Sequence, residues 1–279
     1  MPEYEPPAWY LEQSTDSLRA SGTAHARRVK MVERAFTLLP GPAHGPSEIA
    51  QATGLDASVV YRILQSCIPS AYFVRLPAGK YRLGPGAARI GIHAMAHSPG
   101  AEASHPILER LSKALDAMAL LWVFSPYGDP RRALADYAPG RYDLEALGLT
   151  ASELVATGGS LRVGPSGRAI AAHLPAPLVD RVVAGSVPTS AGPGALGDAA
   201  FLASLQEIRA DGVGVGREEI AGWAEVAAPV LWGEVIYGAI SVLKPSSLLK
   251  DTSDAITRTI AAADRLSALV CGGSPTPAG

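Results

Sequence analysis

Apolar residues recur at three- and four-residue spacing at Val29, Val32, Phe36 and Leu39, which predicts an amphipathic helix that Pro40-Gly41-Pro42 ends. Residues 1–24, rich in Pro, Ser, Thr and acidic groups, show no such period and read as a flexible arm. A second, short helix starts at Ser47 as N-cap, with Glu48 near the positive end of its dipole. Gly54-Leu55 turns the chain, and Asp56 caps a third helix to about Cys67. In that helix Val59, Val60, Ile63 and Leu64 form an apolar side, while Ser58, Tyr61, Arg62 and Gln65 at i, i+3, i+4 and i+7 form a polar row. Tyr72–Leu76 and Lys80–Leu83 alternate with period two around Pro77-Ala78-Gly79 and predict a hairpin. Its inward positions are Tyr72, Val74, Leu76, Tyr81 and Leu83; Arg75, Lys80 and Arg82 project outward.

Further on, Ala87, Ile90, Gly91, Ala94 and Met95 are apolar at helical spacing, a stripe suited either to self-association or to packing on the chain's own head. After Pro99-Gly100, Ile107, Leu108, Leu111 and Leu115 predict a helix that leads into the apolar run Ala119–Phe124, a buried strand. Strands are also expected near 132–137, 213–217, 224–231 and 235–243, and helices near 167–173, 200–210 and 253–270. Strands interleaved with helices place this half in the α/β (α+β) class with a central sheet, its strand order undetermined.

The N-terminal half carries a more specific arrangement. Two helices that cross closely need a small residue at the crossing, a residue tolerant of positive φ four later and an apolar anchor six beyond. Ala50, Gly54 and Val60 satisfy all three, so this segment is a candidate helix-turn-helix and the hairpin after it a wing. The polar row of the third helix then reads base edges in a major groove, or is simply the solvated side of an amphipathic helix. Outward cations of the wing are placed to neutralise phosphates.

Charge sharpens this division. The net charge is −2, yet from Leu18 to His97 ten Lys or Arg stand against three Asp or Glu, and from Ser98 onward fourteen stand against nineteen. A basic segment joined to an acidic one fits a nucleic-acid module fused to a non-binding module, although a basic solvated face is the common alternative. With 48% hydrophobic and 18% charged residues the chain has the composition of an ordinary globular protein. The acidic, polar N-terminus and the lack of a long apolar run lead to the expectation of a cytoplasmic protein with no membrane partner. Cys67 and Cys271 lie far apart and suggest neither a disulfide framework nor a metal site. No nucleophile elbow, P-loop, paired His or Cys-His cluster is present, so neither an enzyme nor a cofactor is expected.

Val32-Glu33-Arg34-Ala35, Ile49-Ala50, Thr53-Gly54-Leu55, Arg62-Ile63-Leu64 and, most specifically, Lys80-Tyr81-Arg82-Leu83-Gly84 resemble the IclR family of bacterial transcriptional regulators. So do Arg217-Glu218-Glu219, Gly222, Ala227-Ala228-Pro229-Val230, Gly238-Ala239-Ile240-Ser241-Val242 and Pro245. The resemblance implies a winged helix-turn-helix over 25–84, a linker helix over 85–98 and an effector-binding domain similar to GAF domains over 99–271, followed by a flexible tail over 272–279. It also implies a homodimer or tetramer on a pseudo-palindromic operator in double-stranded DNA, released or recruited by a small organic effector. Repression is the expected mode. A head that no longer reads an operator, acting as a ligand- or protein-binding module, is the alternative, because Arg62 is the lone cation of the recognition helix.

The expected DNA contacts are Arg28, Ser47, Ser58, Tyr61, Arg62, Gln65, Arg75, Lys80 and Arg82, with Arg27 and Lys30 adding phosphate affinity. On the effector side the stretch 158–169 looks like the family's loop running into a helix, where Ser166 and Gly167 offer backbone amides to an anionic ligand. Trp122, Trp223, Glu225 and Ser241 complete the candidate pocket, the aromatics serving either as ligand walls or as core. Arg162 pairs with a carboxylate or is solvated. An inward Glu225 disfavours a simple carboxylate effector, since two buried anions repel without a cation between them. An amphiphilic or cationic ligand suits it better.

Overall fold

A computed structural model describes residues 24–96, 100–141 and 159–272, which form two compact units. All but the last residue of the expected arm, all but the first of the expected tail, and Gly158 of the effector loop lie outside the described residues.

In the first unit α1 (Ala24–Leu38) buries Val32, Ala35 and Phe36, as its period requires. The next helix, α2 (Pro46–Thr53), is capped two residues earlier than expected: Gly45 is its cap and Ser47 is an exposed helical residue. Proline explains the shift, because its missing N–H and fixed φ suit the first helical position. Glu48 still serves the helix start, its Oε2 accepting the Gly45 N–H at 2.7 Å. Gly54 takes the left-handed conformation (φ 68°) and donates its N–H to Ala50 O at 2.9 Å. Asp56 Oδ1 then accepts the Ser58 N–H at 2.7 Å and opens α3 (Ala57–Ser66), which buries Val60, Ile63 and Leu64. Full burial of each contributes about 1.5–3 kcal/mol.

The wing is an antiparallel pair, β1 (Phe73–Arg75) and β2 (Tyr81–Leu83), in which Phe73 faces Leu83 and Arg75 faces Tyr81. Its first strand does not alternate as expected: Phe73 is buried, Tyr72, Val74 and Leu76 are half-buried, Arg75 is exposed as expected, and on β2 Leu83 is exposed. The burial of Phe73 comes from its ring, which stacks on Phe36 with centroids 4.9 Å apart; in so short a strand one aromatic outweighs the alternation. Buried His44 adds a third strand position, exchanging both backbone hydrogen bonds with Tyr81 at 2.9 Å. Helix α4 (Pro85–Ala96) follows, burying only Gly86 among its described residues and exposing Ile90, Ile92 and Met95.

The second unit is built on a five-stranded antiparallel sheet: β3 (Met118–Ser125), β4 (Arg131–Ala138), β5 (Gly214–Arg217), β6 (Trp223–Trp232) and β7 (Val235–Pro245), in the order β4-β3-β7-β6-β5. The apolar run of β3 is continuous because both its faces are covered. Met118, Leu120 and Trp122 meet one core with Ile170, Phe201 and Leu205; Ala119 and Leu121 meet another with Leu108, Leu111 and Leu266. Helices α5 (Ala101–Leu115) and α9 (Ser253–Val270) belong to the second core. The first takes residues of α6 (Pro165–Ala172), α7 (Ala176–Ala184) and α8 (Asp198–Asp211). The result is an α+β unit of three layers; α7 is the helix that periodicity did not anticipate.

Glycine at the end of the KYRLG string has a steric cause: a Cβ on Gly84 would lie 2.2 Å from Ala71 O and 2.8 Å from Val74 Cγ2. Gly84→Ala is therefore expected to lower the stability of the first unit by about 1–3 kcal/mol. Hydrogen exchange should speed up at the wing amides and stay unchanged in the five-stranded sheet; protection equal to the parent's at Tyr72 and Gly84 would contradict the steric account.

Candidate functional site

On the first unit, Ser58, Tyr61 and Arg62 stand exposed on α3, and Arg75, Lys80 and Arg82 stand exposed on the wing. Gln65 departs from the expected row. It is half-buried and its Nε2 donates to the buried Tyr81 Oη at 2.7 Å, so it clamps α3 to β2. Sequence spacing placed it on the polar side correctly but carried no sign that a wing tyrosine would reach it. The guanidinium groups of Arg62, Arg75 and Arg82 enter no ion pair among the described residues. Lys80 Nζ lies 3.6 Å from Glu48 Oε1, and Lys30 on α1 is paired with Glu33 at 2.8 Å. The Gly45 N–H, and after it the Lys80 charge, hold the exposed Glu48 carboxyl below the usual carboxylate range. Arg28 and Ser47 are exposed on α1 and α2.

On the second unit the six expected pocket residues are all buried, and they gather around groups that sequence reasoning missed. Arg132, on β4, is 3% exposed; its guanidinium donates through Nη1 to Ser166 Oγ and through Nη2 to Val163 O at 2.8 Å. Ser166 in turn donates to Glu225 Oε1. The guanidinium also sits 4.6 Å over the Trp122 ring, whose Nε1 donates to Ser241 Oγ at 3.3 Å. A parallel pair lies beside it: Arg168 donates to Glu219 Oε1 and, at 3.0 Å, to Val215 O, while Glu219 Oε2 accepts the Gly164 N–H at 2.8 Å.

Burial pulls the Arg132 guanidinium below the ordinary arginine range, and the charges of Glu225 and Glu219 oppose that pull. Arginine stays protonated under such a shift. The hydroxyl of Ser166 accepts from Arg132 and donates to Glu225, so it links the two buried charges. The void between Glu219, Trp223, Glu225 and Leu243 has no room for a water molecule. Gly167 lets α6 begin against its own loop, since a Cβ there would lie 2.8 Å from Leu161 O.

Of the two readings of Arg162, pairing with a carboxylate is the one observed, and the solvated reading fails. The residue is 3% exposed, its Nη2 donates to Asp198 Oδ1 at 2.7 Å, and its guanidinium lies 4.4 Å over the Phe201 ring. Arg162 also lines an open cleft of about 740 Å³, together with Asp129, Arg131, Ser160, Arg181 and Val182.

No protein-family model matches the chain, and no curated protein matches it. Solved structures do. An IclR homologue from Microbacterium hydrocarbonoxydans complexed with 4-hydroxybenzoate is 19% identical over 90% of this chain and 100% of that one, with a TM-score of 0.52. The IclR transcriptional regulator of Alicyclobacillus acidocaldarius gives 19%, 90%, 99% and 0.51, and the IclR of Thermotoga maritima 16%, 88%, 97% and 0.51. The fold of the chain is thus that of IclR regulators, helix-turn-helix unit and sheet unit together. No described helix is long and apolar enough to cross a membrane.

Helix α6, which carries Ser166 and Arg168, ends at His173, a half-buried ring whose Nε2 has no hydrogen-bond partner among the described residues. Burial, aided by the nearby Arg209 charge, lowers its pKa to about 4 from 6.5. The unfolded chain therefore takes up a proton on acidification before the folded one does, and stability present above pH 6.5 is lost as pH falls towards 4. By pH 5 the loss is expected to reach about 2 kcal/mol. Urea unfolding of the parent and of His173→Leu at pH 7 and pH 5 checks this: the variant should lack that share of the pH dependence. Identical pH profiles would remove His173 as its source.

Proposed function

We propose that the chain is a DNA-binding transcriptional regulator of the IclR type, acting as a repressor whose hold on a pseudo-palindromic operator is set by a small organic effector in the second unit. The observation that carries this reading is the Gln65–Tyr81 hydrogen bond. It joins the exposed face of α3 to a wing bearing Arg75, Lys80 and Arg82, so that base-reading and phosphate-neutralising groups move as one body. Residues 25–84 are the DNA-binding head, 85–98 the linker and 99–271 the effector domain.

Ser58, Tyr61 and Arg62 read base edges; Arg28, Ser47, Arg75, Lys80 and Arg82 hold phosphates; Gln65 positions the wing. With one cation on the recognition helix, affinity comes largely from phosphate contacts and from binding as a dimer. The apolar side chains that α4 exposes, Ile90, Met95 and the unanticipated Ile92, supply the self-association surface. Effector control is supported by the Microbacterium hydrocarbonoxydans neighbour, which was solved with 4-hydroxybenzoate. Trp122, Ser166, Gly167, Trp223, Glu225 and Ser241 mark where the effector acts.

Gel shifts on the DNA upstream of its own gene test the head. Arg62→Ala is expected to cost about 1–3 kcal/mol on the operator and little on random DNA, whereas Lys80→Ala weakens both alike and lowers the salt slope by about one. Equal losses for Arg62→Ala on both DNAs would deny it a base contact, and a parent protein with no preference over competitor DNA would leave a binding module without an operator.

The linker is tested by charge. Ile90→Glu with Met95→Glu is expected to convert a dimer to a monomer in sedimentation analysis and to weaken operator binding at least tenfold, with an unchanged circular dichroism spectrum. A variant still dimeric at the parent's concentration would place the interface elsewhere.

A further inference from the structure

A guanidinium that is 3% exposed needs an anion beside it, because an unpaired buried charge costs several kcal/mol. For Arg132 that anion comes from an unusual direction. Glu225 lies on β6 between Ala224 and Val226, which face the other core, so the pleat turns its carboxylate into the core that holds Trp122, Trp223 and Leu243. There its Oε1 accepts a hydrogen bond from the Ser166 hydroxyl, and its Oε2 lies so close to the loop that a Cβ on Gly164 would come within 2.5 Å of it. A planar cation, a hydroxyl donor and aromatic walls are the groups with which proteins hold a small organic carboxylate. In this chain the carboxylate in that setting is the protein's own.

The buried arginines of this unit meet carboxylates in turn: Arg162 pairs with Asp198, Arg168 with Glu219, and Arg132 is joined to Glu225 through the Ser166 hydroxyl. A ligand carboxylate entering here would meet the Glu225 anion at short range and would be repelled.

We propose that Glu225 is a built-in ligand: it fills a carboxylate site formed by Arg132 and Ser166, bars anionic effectors from the parent protein, and leaves a functional monocarboxylate site when it is removed. The inference rests on the effector site proposed above and makes Glu225 the residue that sets the effector's charge.

The test uses the full chain, its Glu225→Ala variant and sodium acetate against sodium chloride at equal ionic strength. Glu225→Ala should lower the thermal midpoint of the sheet unit by roughly 6–20 °C, the consequence of removing the buried carboxylate that Ser166 links to Arg132. Acetate, and not chloride, should restore several degrees with a saturable dose dependence, while the parent responds to the two salts alike. Equal responses of Glu225→Ala to acetate and chloride would overturn the proposal, as would a parent that gains as much from acetate as the variant. If Glu225→Ala does not fold, Glu225→Gln, Arg132→Gln and their double variant replace it: a double loss clearly smaller than the summed single losses supports the pairing, and additive losses refute it. Gel shifts with the same proteins separate the two readings. Acetate that stabilises Glu225→Ala without altering its DNA binding upholds the carboxylate site and removes the effector role from it.

Discussion

Two of the three arginines buried in the second unit, Arg132 and Arg168, stay charged there because two carboxylates are buried with them. That requirement ties together parts of the chain far apart in sequence: Arg132 from β4, Gly164, Ser166 and Arg168 from the start of α6, Glu219 from the turn before β6 and Glu225 from β6 itself. Apolar packing alone would let α6 slide over the sheet at small cost, since dispersion and hydrophobic terms are non-directional. Each guanidinium fixes a direction and a distance. Such networks are weak evidence for stability, because desolvation offsets most of the attraction, but they define one arrangement against near alternatives.

The first unit shows the same division between bulk burial and single directed contacts. Val60, Ile63, Leu64 and Ile49 close its core. The angle of the wing is set by a few specific features: the stacking of Phe73 on Phe36, the pairing of His44 with Tyr81, the bond from Gln65 to Tyr81, and a glycine where Ala71 O leaves no space for a Cβ. Tyr81 takes part in two of these, with its backbone and its hydroxyl. It serves the KYRLG string as a strut between helix and wing rather than as a contact to a partner.

Much of the architecture was legible in the sequence, and the reason is periodicity. Helices α1, α3, α8 and α9 and all five strands of the sheet declare themselves by the spacing of apolar residues, and Gly54 and Asp56 by the backbone chemistry of turns and caps. Misreadings arose where a local rule met a stronger non-local contact. Ser47 had the side chain of a cap, but Pro46 had the better backbone for the first turn. The burial of Phe73 on β1 followed an aromatic stack with α1 rather than the strand's alternation. Strand order was beyond reach, since any neighbour of suitable period satisfies the pattern.

The candidate pocket exposes a different limit. Trp122, Ser166, Gly167, Trp223, Glu225 and Ser241 were recognisable as residues of one region, and all six are buried in the second unit. Arg132 was invisible because Arg131-Arg132 at the head of a strand reads as a solvated pair, and alternation sends one of them inward without saying which. Yet the sequence held an indirect sign. A glutamate in the middle of an otherwise apolar strand, Trp223-Ala224-Glu225-Val226-Ala227-Ala228, faces either water or a cation, and the covered sheet leaves no water on either side. An inward Glu225 therefore implied a buried cation before any coordinates, and the repulsion argued against a carboxylate ligand needed only that cation to become an argument about occupancy.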